Sequence, residues 1–301
     1  MKSFSAISQQ LRSGDHKLLA RCISMVENES EGWMDLLQSL DVTPVPVIGI
    51  TGPPGAGKST LISNLVQHYS KDGKKIAVLA VDPSSPFHHG SLLGDRLRMS
   101  LHFSNPGVYI RSVAARGSLG GLTDKAMEIT DVMKAADFDL IIIETVGIGQ
   151  SETEIASLAD VTVLVLVPES GDEIQTLKAG VMEIADIYVV NKADHEDAEK
   201  FADSVLWMSQ MKHNAEWTAP VVKSIATQDS GTKELIENIG AFLSSGAVNS
   251  KRTLLFAEKA YRLIARERMK DINKSALAEQ LQQKINEKGF NLYKFVKSIV
   301  S

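Results

Sequence analysis

The 301-residue chain is poor in cysteine, with Cys22 alone, and poor in aromatic residues, at 6%. A lone cysteine excludes an internal disulfide framework and suits a reducing compartment; Cys22 itself reads as a small apolar residue on a helix face. Positive charge is not in excess: 32 Lys and Arg stand against 37 Asp and Glu, for a net charge of -5. Nucleic acid is therefore not expected as a partner, because no basic surplus exists to neutralise a phosphate backbone. No apolar run approaches the ~20 residues that a membrane span needs. Met1 to Arg12 lacks the long apolar stretch of a signal peptide. The expected address is the cytoplasm, away from membranes. There is no internal repeat and no low-complexity tract. What the chain does have is hydrophobic content, at 44%, enough for one large core with helical extensions at both ends.

Residues 1–43 read as an extension of short helices. Phe4, Ile7 and Leu11 share one helix face, as do Leu18, Leu19, Cys22, Ile23 and Val26, and Trp33, Leu36, Leu37 and Leu40 suggest a third. Gly14-Asp15 punctuates the series, and Pro44 and Pro46 stop helix formation. Residues 44–246 then alternate apolar runs with amphipathic segments. Val45–Thr51, Ile76–Val81, Leu140–Thr145, Val161–Val167 and Ile187–Asn191 are nearly unbroken; Val108–Arg111 and Val221–Ser224 are weaker. Strands apolar on both faces, spaced by helix-length segments, predict an α/β fold with a mostly parallel, doubly wound sheet. Ligands in such folds sit beyond the carboxyl ends of the strands. After Ser244-Ser245-Gly246, residues 247–301 read as a helical arm. Leu254, Ala257, Tyr261 and Ile264 lie along one side, and Arg252, Lys259, Arg262, Arg266 and Arg268 form a solvated basic face. Such an arm can pack on its own core or on a second subunit.

Gly52-Pro53-Pro54-Gly55-Ala56-Gly57-Lys58-Ser59, with Thr60 behind it, matches the whole GxxxxGK[ST] pattern between a strand and a helix. Its glycines let backbone N–H groups turn inward around phosphate oxygens, and the helix N-terminus adds partial positive charge. Lys58 is expected to reach the β- and γ-phosphates and the Ser59 hydroxyl to ligate magnesium. Asn191-Lys192-Ala193-Asp194 follows a later strand. A carboxylate at Asp194 can accept from N1–H and the exocyclic amino group of guanine, whereas adenine would leave it unpaired, so the expected nucleotide is GTP or GDP. The stem of Lys192 can lie over the purine face. Ser224-Ile225-Ala226 occupies the place of a second base-contacting loop.

Asp82 and Glu144 end strands, where carboxylates hold magnesium or its waters. Asp95 lies in a glycine-bearing polar stretch, Gly90–Asp95, suited to order–disorder switching on γ-phosphate and magnesium; Gly171-Asp172-Glu173 is a second such candidate. Gly147 could swing its N–H onto the γ-phosphate. No residue is an obvious arginine finger, so a switch residue or a partner must complete the site.

Taken together these segments resemble the GTPases associated with methylmalonyl-CoA mutase, also called ArgK-type or LAO/AO transport system GTPases, of the SIMIBI class of P-loop proteins. The resemblance rests on Gly52–Thr60, Val81-Asp82-Pro83-Ser84-Ser85, Gly90–Asp95, Arg116-Gly117-Ser118-Leu119-Gly120-Gly121, Glu144–Glu152 (ETVGIGQSE), Gly171-Asp172-Glu173-Ile174-Gln175 and Asn191–Asp194. Gly14-Asp15, Leu19-Ala20-Arg21 and Val26-Glu27 also fit. It implies a homodimer paired through the C-terminal arms. It also implies slow GTP hydrolysis accelerated by an adenosylcobalamin-dependent acyl-CoA mutase, whose cofactor loading and protection the GTPase gates. It assigns phosphate and magnesium to Lys58 and Ser59, magnesium and water to Asp82, Asp95 and Glu144, and guanine to Asp194. Phe87-His88-His89 and Ser224–Gly231 depart from the family pattern. The histidine pair keeps a rival in view, a GTP-dependent metallochaperone delivering nickel, although such relatives carry further Cys and His clusters. A kinase-like ATPase linked to amino-acid transport is a third reading.

Overall fold

The computed structural model describes residues 4–82, 99–114, 125–145, 151–168, 179–210, 217–246, 250–287 and 289–300. Its centre is a seven-stranded sheet: β1 (Val47–Thr51), β2 (Ile76–Asp82), β3 (Val108–Ala114), β4 (Leu140–Glu144), β5 (Val161–Leu166), β6 (Ile187–Val190) and β7 (Val221–Lys223). The spatial order is β3-β2-β4-β1-β5-β6-β7, and every pairing between these strands is parallel. The two weaker runs are full members of the sheet; β3 pairs with β2 along its whole length. The first strand starts at Val47 rather than Val45, because Pro46 has no N–H to give to a ladder. Its carbonyl still accepts from Ile141 N, at 2.9 Å.

The helices, in chain order, are α1 (Phe4–Arg12), α2 (His16–Glu27), α3 (Trp33–Ser39), α4 (Lys58–Lys71), α5 (Ala126–Lys134), α6 (Ser151–Leu158), α7 (Ala179–Ile184), α8 (Ala198–Gln210) and α9 (Thr232–Ser244). Strand pleating sorts the apolar runs into two layers. Ile48, Ile50, Val78, Ile142, Val163 and Val165 face α4 and α9, through Leu61, Leu65, Leu235 and Ile239. Val47, Ala77, Leu79, Ile141 and Ile143 face the N-terminal helices, α5 and α6. Leu164, Leu166, Tyr188 and Val190 face α8. Apolar character on both strand faces is thus what a covered parallel sheet demands. Asp15 caps α2 by accepting from Lys17 N and Leu18 N at 3.0 and 2.9 Å, and Arg111 on β3 donates to Glu27 on α2 at 2.7 Å. The N-terminal helices are therefore part of the core, with Leu11, Leu19, Ile23 and Leu36 fully buried. Cys22 lies in the same layer, and burial pushes its thiol up to about 11, which keeps it protonated and inert.

At the amino ends of the strands one device recurs. Asp139, Asp160 and Asp186 stand immediately before β4, β5 and β6. Each brackets one residue at the start of the neighbouring strand with two bonds. Asp160 N donates to Val47 O, and Asp160 Oδ2 accepts from Val47 N, both at 2.8 Å. Asp186 does the same to Thr162, and Asp139 to Lys75, again at 2.8 Å each. These brackets satisfy strand-end N–H groups that the ladder cannot reach, and they fix register.

Residues 1–252 form one compact unit and 253–301 a second. The second contains most of α10 (Ser250–Arg268), with α11 (Lys274–Lys284) and α12 (Leu292–Val300). Asn273 caps α11. Among its described residues only Phe295 is buried, while Tyr261 and Ile264 are 70% and 55% exposed. No described helix is long and apolar enough to cross a membrane.

Replacing Asp160 with Ala leaves the buried Val47 N–H without its acceptor. The expected cost is about 1–3 kcal/mol of stability, read by urea titration, with GTP turnover per folded molecule unchanged because the bracket lies at the far end of the sheet. An unaltered midpoint would show that the bracket does not contribute.

Candidate nucleotide site

The order β2-β4-β1-β5-β6-β7 brings the carboxyl ends of six strands to one edge. The segment Gly52–Gly57 leaves β1 there and enters α4. Two glycines are required by shape. Gly52 has φ 142, and a Cβ would lie 2.0 Å from Val165 O; Gly57 has φ 89, and a Cβ would lie 2.3 Å from Asn191 Nδ2. No side chain caps the N-terminus of α4, so its first N–H groups are turned toward the loop and free of a side-chain cap. Lys58 is buried at 7% exposure, and its Nζ arches back to Gly52 O at 2.8 Å and Pro53 O at 3.0 Å. Uncapped amides and a buried ammonium together make a concave, positive, anion-shaped cradle.

Ser59 Oγ donates to Glu144 Oε1 at 2.7 Å, and both residues are buried. Glu144 reaches Ser59 because β4 pairs directly with β1, with Ile50 opposite Glu144. Asp82 ends β2 on the other side of β4. Thr145 N donates to Ile50 O at 3.1 Å, and Thr145 Oγ1 donates to Thr51 Oγ1 at 2.9 Å. Thr145 is thus tied to the last two residues of β1.

Asn191 is 3% exposed and knits three loops together. Its Nδ2 donates to Ala56 O at 2.8 Å, while its Oδ1 accepts from Ser224 Oγ and Ala226 N, each at 3.0 Å. Lys192 adopts a left-handed φ of 56, held by Ala193 N to Ser224 O and His195 N to Lys192 O, both 3.0 Å. This turn delivers Asp194 to the surface as an exposed carboxylate. A polar cavity of about 330 Å³ opens between the two loops, lined by Ala193, His195, Glu196, Ser224 and Ile225 among others. The structure therefore gathers Gly52–Thr60, Glu144, Asn191, Ser224 and Ala226 at one edge. Asp95, Gly147, the pair His88-His89 and the segments 83–85, 90–95, 116–121 and 171–175 lie outside the described residues, as does the side chain of Asp82.

Comparison with known proteins gives the family and the fold. The profile of the family described as Methylmalonyl Co-A mutase-associated GTPase MeaB matches residues 19–286. The chain belongs to the MeaB family. A protein of Pyrococcus horikoshii that carries the name of a GTPase is 42% identical over 275 residues, 88% of this chain and 87% of its own length. GTPase ArgK of Escherichia coli is 36% identical over 239 residues, 75% and 72%. The methylmalonic aciduria type A homolog of Mus musculus is 38% identical over 214 residues, 68% of this chain and 52% of its own. Like the GTPases among these relatives, the present chain is a GTP hydrolase with the P-loop fold. The crystal structure of an LAO/AO transport system kinase superposes with a TM-score of 0.68 at 24% identity, over 99% of this chain and 96% of that one. The hydrogenase maturation factor HypB of Archaeoglobus fulgidus gives 0.51 at 18%, over 75% and 100%. At these identities the likeness is one of fold.

Sequence reasoning singled out the loops that the fold gathers here but missed the ties between them. Thr51, Asn64, His68 and Asp229 belong to no motif and contact partners far along the chain. His102 is another: its Nε2 lies 2.9 Å from Ser63 Oγ on α4, and burial lowers its imidazole below the ordinary value, with the Ser63 bond only partly offsetting this.

Gly57→Ala tests the joint. The added methyl meets the Asn191 amide and forces a left-handed backbone strain, so GTP should bind at least about tenfold more weakly, a loss of about 1.4 kcal/mol. Titration calorimetry beside a melting curve checks this; unchanged affinity in the folded variant would show that Asn191 does not need its place.

Proposed function

We propose that this chain is a GTP-driven chaperone for an adenosylcobalamin-dependent acyl-CoA mutase of the methylmalonyl-CoA type, gating cofactor loading and protecting the loaded enzyme. The observation that carries the reading is the MeaB profile across residues 19–286, on a chain with a complete phosphate cradle. In this reading Gly52–Thr60 wraps the triphosphate, and the α4 amides and Lys58 take up its charge. Asp194 reads N1–H and the amino group of guanine, the stem of Lys192 covers the purine face, and Asn191 holds Ser224-Ile225-Ala226 beside the base.

Magnesium fits the donor set: Ser59 Oγ and Glu144 Oε1 are hard oxygens 2.7 Å apart at the cradle's edge, the ligand type this ion prefers. Ser59 would hold it, with Asp82, Asp95 and Glu144 holding the ion or its waters. Bound there it would supply charge neutralisation to the β- and γ-phosphates. Phosphoryl transfer to water needs position and charge compensation more than covalent chemistry, so a site whose sequence offers no obvious arginine finger is slow until a switch residue or a partner completes it. The switch segments near 84–95 and 171–180 are the proposed sensors of γ-phosphate. A homodimer through the arm 247–301 and a cytoplasmic address belong to the same proposal. The exposed Phe256, Tyr261, Ile264 and Leu292 support the dimer, since a free arm would leave them in water.

Asp194→Asn should weaken GTP and favour xanthosine triphosphate, because the amide donates to the extra carbonyl of xanthine. Titration of both nucleotides decides it; a preference for GTP kept at its original margin removes Asp194 from base reading.

The partner is tested by light scattering and by GTPase rates with and without an adenosylcobalamin-dependent mutase from the same organism. The full chain should run as a dimer and be stimulated. Truncation after Gly246 should give monomers that bind GTP but respond much less to the mutase. A monomeric full chain whose rate no such mutase changes defeats the chaperone role and leaves the GTPase intact.

A further inference from the structure

Helix α4 does more than carry Lys58 and Ser59. Six residues after Lys58, Asn64 Nδ2 donates to Ala226 O at 2.7 Å. One turn later His68 Nε2 lies 2.8 Å from Asp229 Oδ2. Residues four apart share a helix face, so both side chains reach the same loop.

That loop is stiff within itself but poorly founded. Ile225 N donates to Ser230 O at 3.1 Å, and Ser230 N returns to Ile225 O at 3.3 Å. Asp229 takes a left-handed φ of 56, and Gly231 sits so close to Lys223 O that a Cβ would lie at 2.2 Å. Its foundation is β7, a three-residue strand at the sheet edge. Short edge strands hold position weakly. The Ala226 backbone is instead gripped in both directions, its N–H donating to Asn191 and its C=O accepting from Asn64.

We propose that Asn64 and His68 are positioning residues for base selection: they fix the distance between the phosphate cradle and the purine loop, and so set how well the site discriminates guanine. The inference rests on the nucleotide-site reading above. The described side-chain hydrogen bonds of Asn64 and His68 go to Ala226 and Asp229, not to Gly52–Thr60. Their loss should therefore appear in base discrimination and affinity, not in turnover.

The experiment compares the Asn64→Ala/His68→Ala double variant with Asp229→Gly, which tolerates the left-handed backbone and removes the acceptor of the His68 bond. His68→Gln keeps a donor for Asp229. Dissociation constants are measured for GTP, for inosine triphosphate, which lacks the amino group, and for inorganic tripolyphosphate. The double variant should lose about tenfold in GTP affinity and about tenfold in the GTP-to-inosine triphosphate ratio, the size of one mispositioned polar contact. Tripolyphosphate affinity and kcat at saturating GTP should stay within about twofold of the starting protein. Asp229→Gly should fall between, and His68→Gln should stay near the starting protein. A folded double variant with an unaltered ratio overturns the proposal, as does a parallel loss of tripolyphosphate binding, which would mean general collapse. If the double variant does not fold, Asp229→Gly decides alone, and an unaltered ratio there overturns it. Failure of the unmodified protein to bind GTP overturns the nucleotide reading itself; normal GTP binding with a fixed ratio overturns only the clamp.

Discussion

The two halves of the site depend on one buried carboxamide. Asn191 offers a planar donor and acceptor, and it spends them on Ala56, Ser224 and Ala226. Its own backbone is set by a bond from Asn191 N to Leu166 O at 2.8 Å, at the end of β5. Loss of the side chain would leave several buried polar groups unmet, at about 1–3 kcal/mol each. An amide suits the joint because it is neutral: a carboxylate here would repel the Ala56 carbonyl and bring charge into a dry place. The joint between the loop after β1 and the loops after β6 and β7 therefore carries no net charge.

The sheet divides its labour by end. At the amino ends Asp139, Asp160 and Asp186 lock neighbouring strands with paired bonds. At the carboxyl ends the same backbone groups are released into loops, and the buried polar residues Thr51, Lys58, Ser59, Glu144, Thr145 and Asn191 collect there. Register locked at one end lets the other end carry polar groups at fixed separations. The Ser59–Glu144 and Thr51–Thr145 contacts are consequences of that register, because each needs β1 and β4 aligned to within one residue.

Most of the fold was legible because its strands are buried on both faces, which writes them into the chain as unbroken aliphatic runs. Strand ends were less legible: Pro46 cuts β1 short through a missing N–H, an effect of pairing rather than of hydropathy. The phosphate loop was legible because its geometry demands glycine at fixed intervals. Strand order, the aspartate brackets and the α4 ties were not, because each joins residues far apart in the chain through one side chain with no periodicity. Asn64 reads in the sequence as an ordinary polar position on a helix; only Ala226, 162 residues away, gives it meaning. The brackets did leave a trace, an aspartate before each of three apolar runs, which position in a strand alone does not interpret.

The C-terminal unit shows what burial can and cannot support. Within residues 253–301 a single described side chain, Phe295, is buried, close to the ring of Phe290 and under the Lys284 ammonium. Short ion pairs along its helices, Glu258 with Arg262 and Glu267 with Lys270, are largely exposed, and water screens such pairs so that they contribute little. So few buried groups cannot offset the conformational entropy of about fifty ordered residues, which costs on the order of 1–2 kcal/mol for each backbone. In the reading proposed above, the helices draw their order from apolar contact with another surface. In the proposed dimer that surface is the arm of a second copy. Assembly would then be a condition of the arm's folding, and a partner that reads the arm would read only the assembled protein.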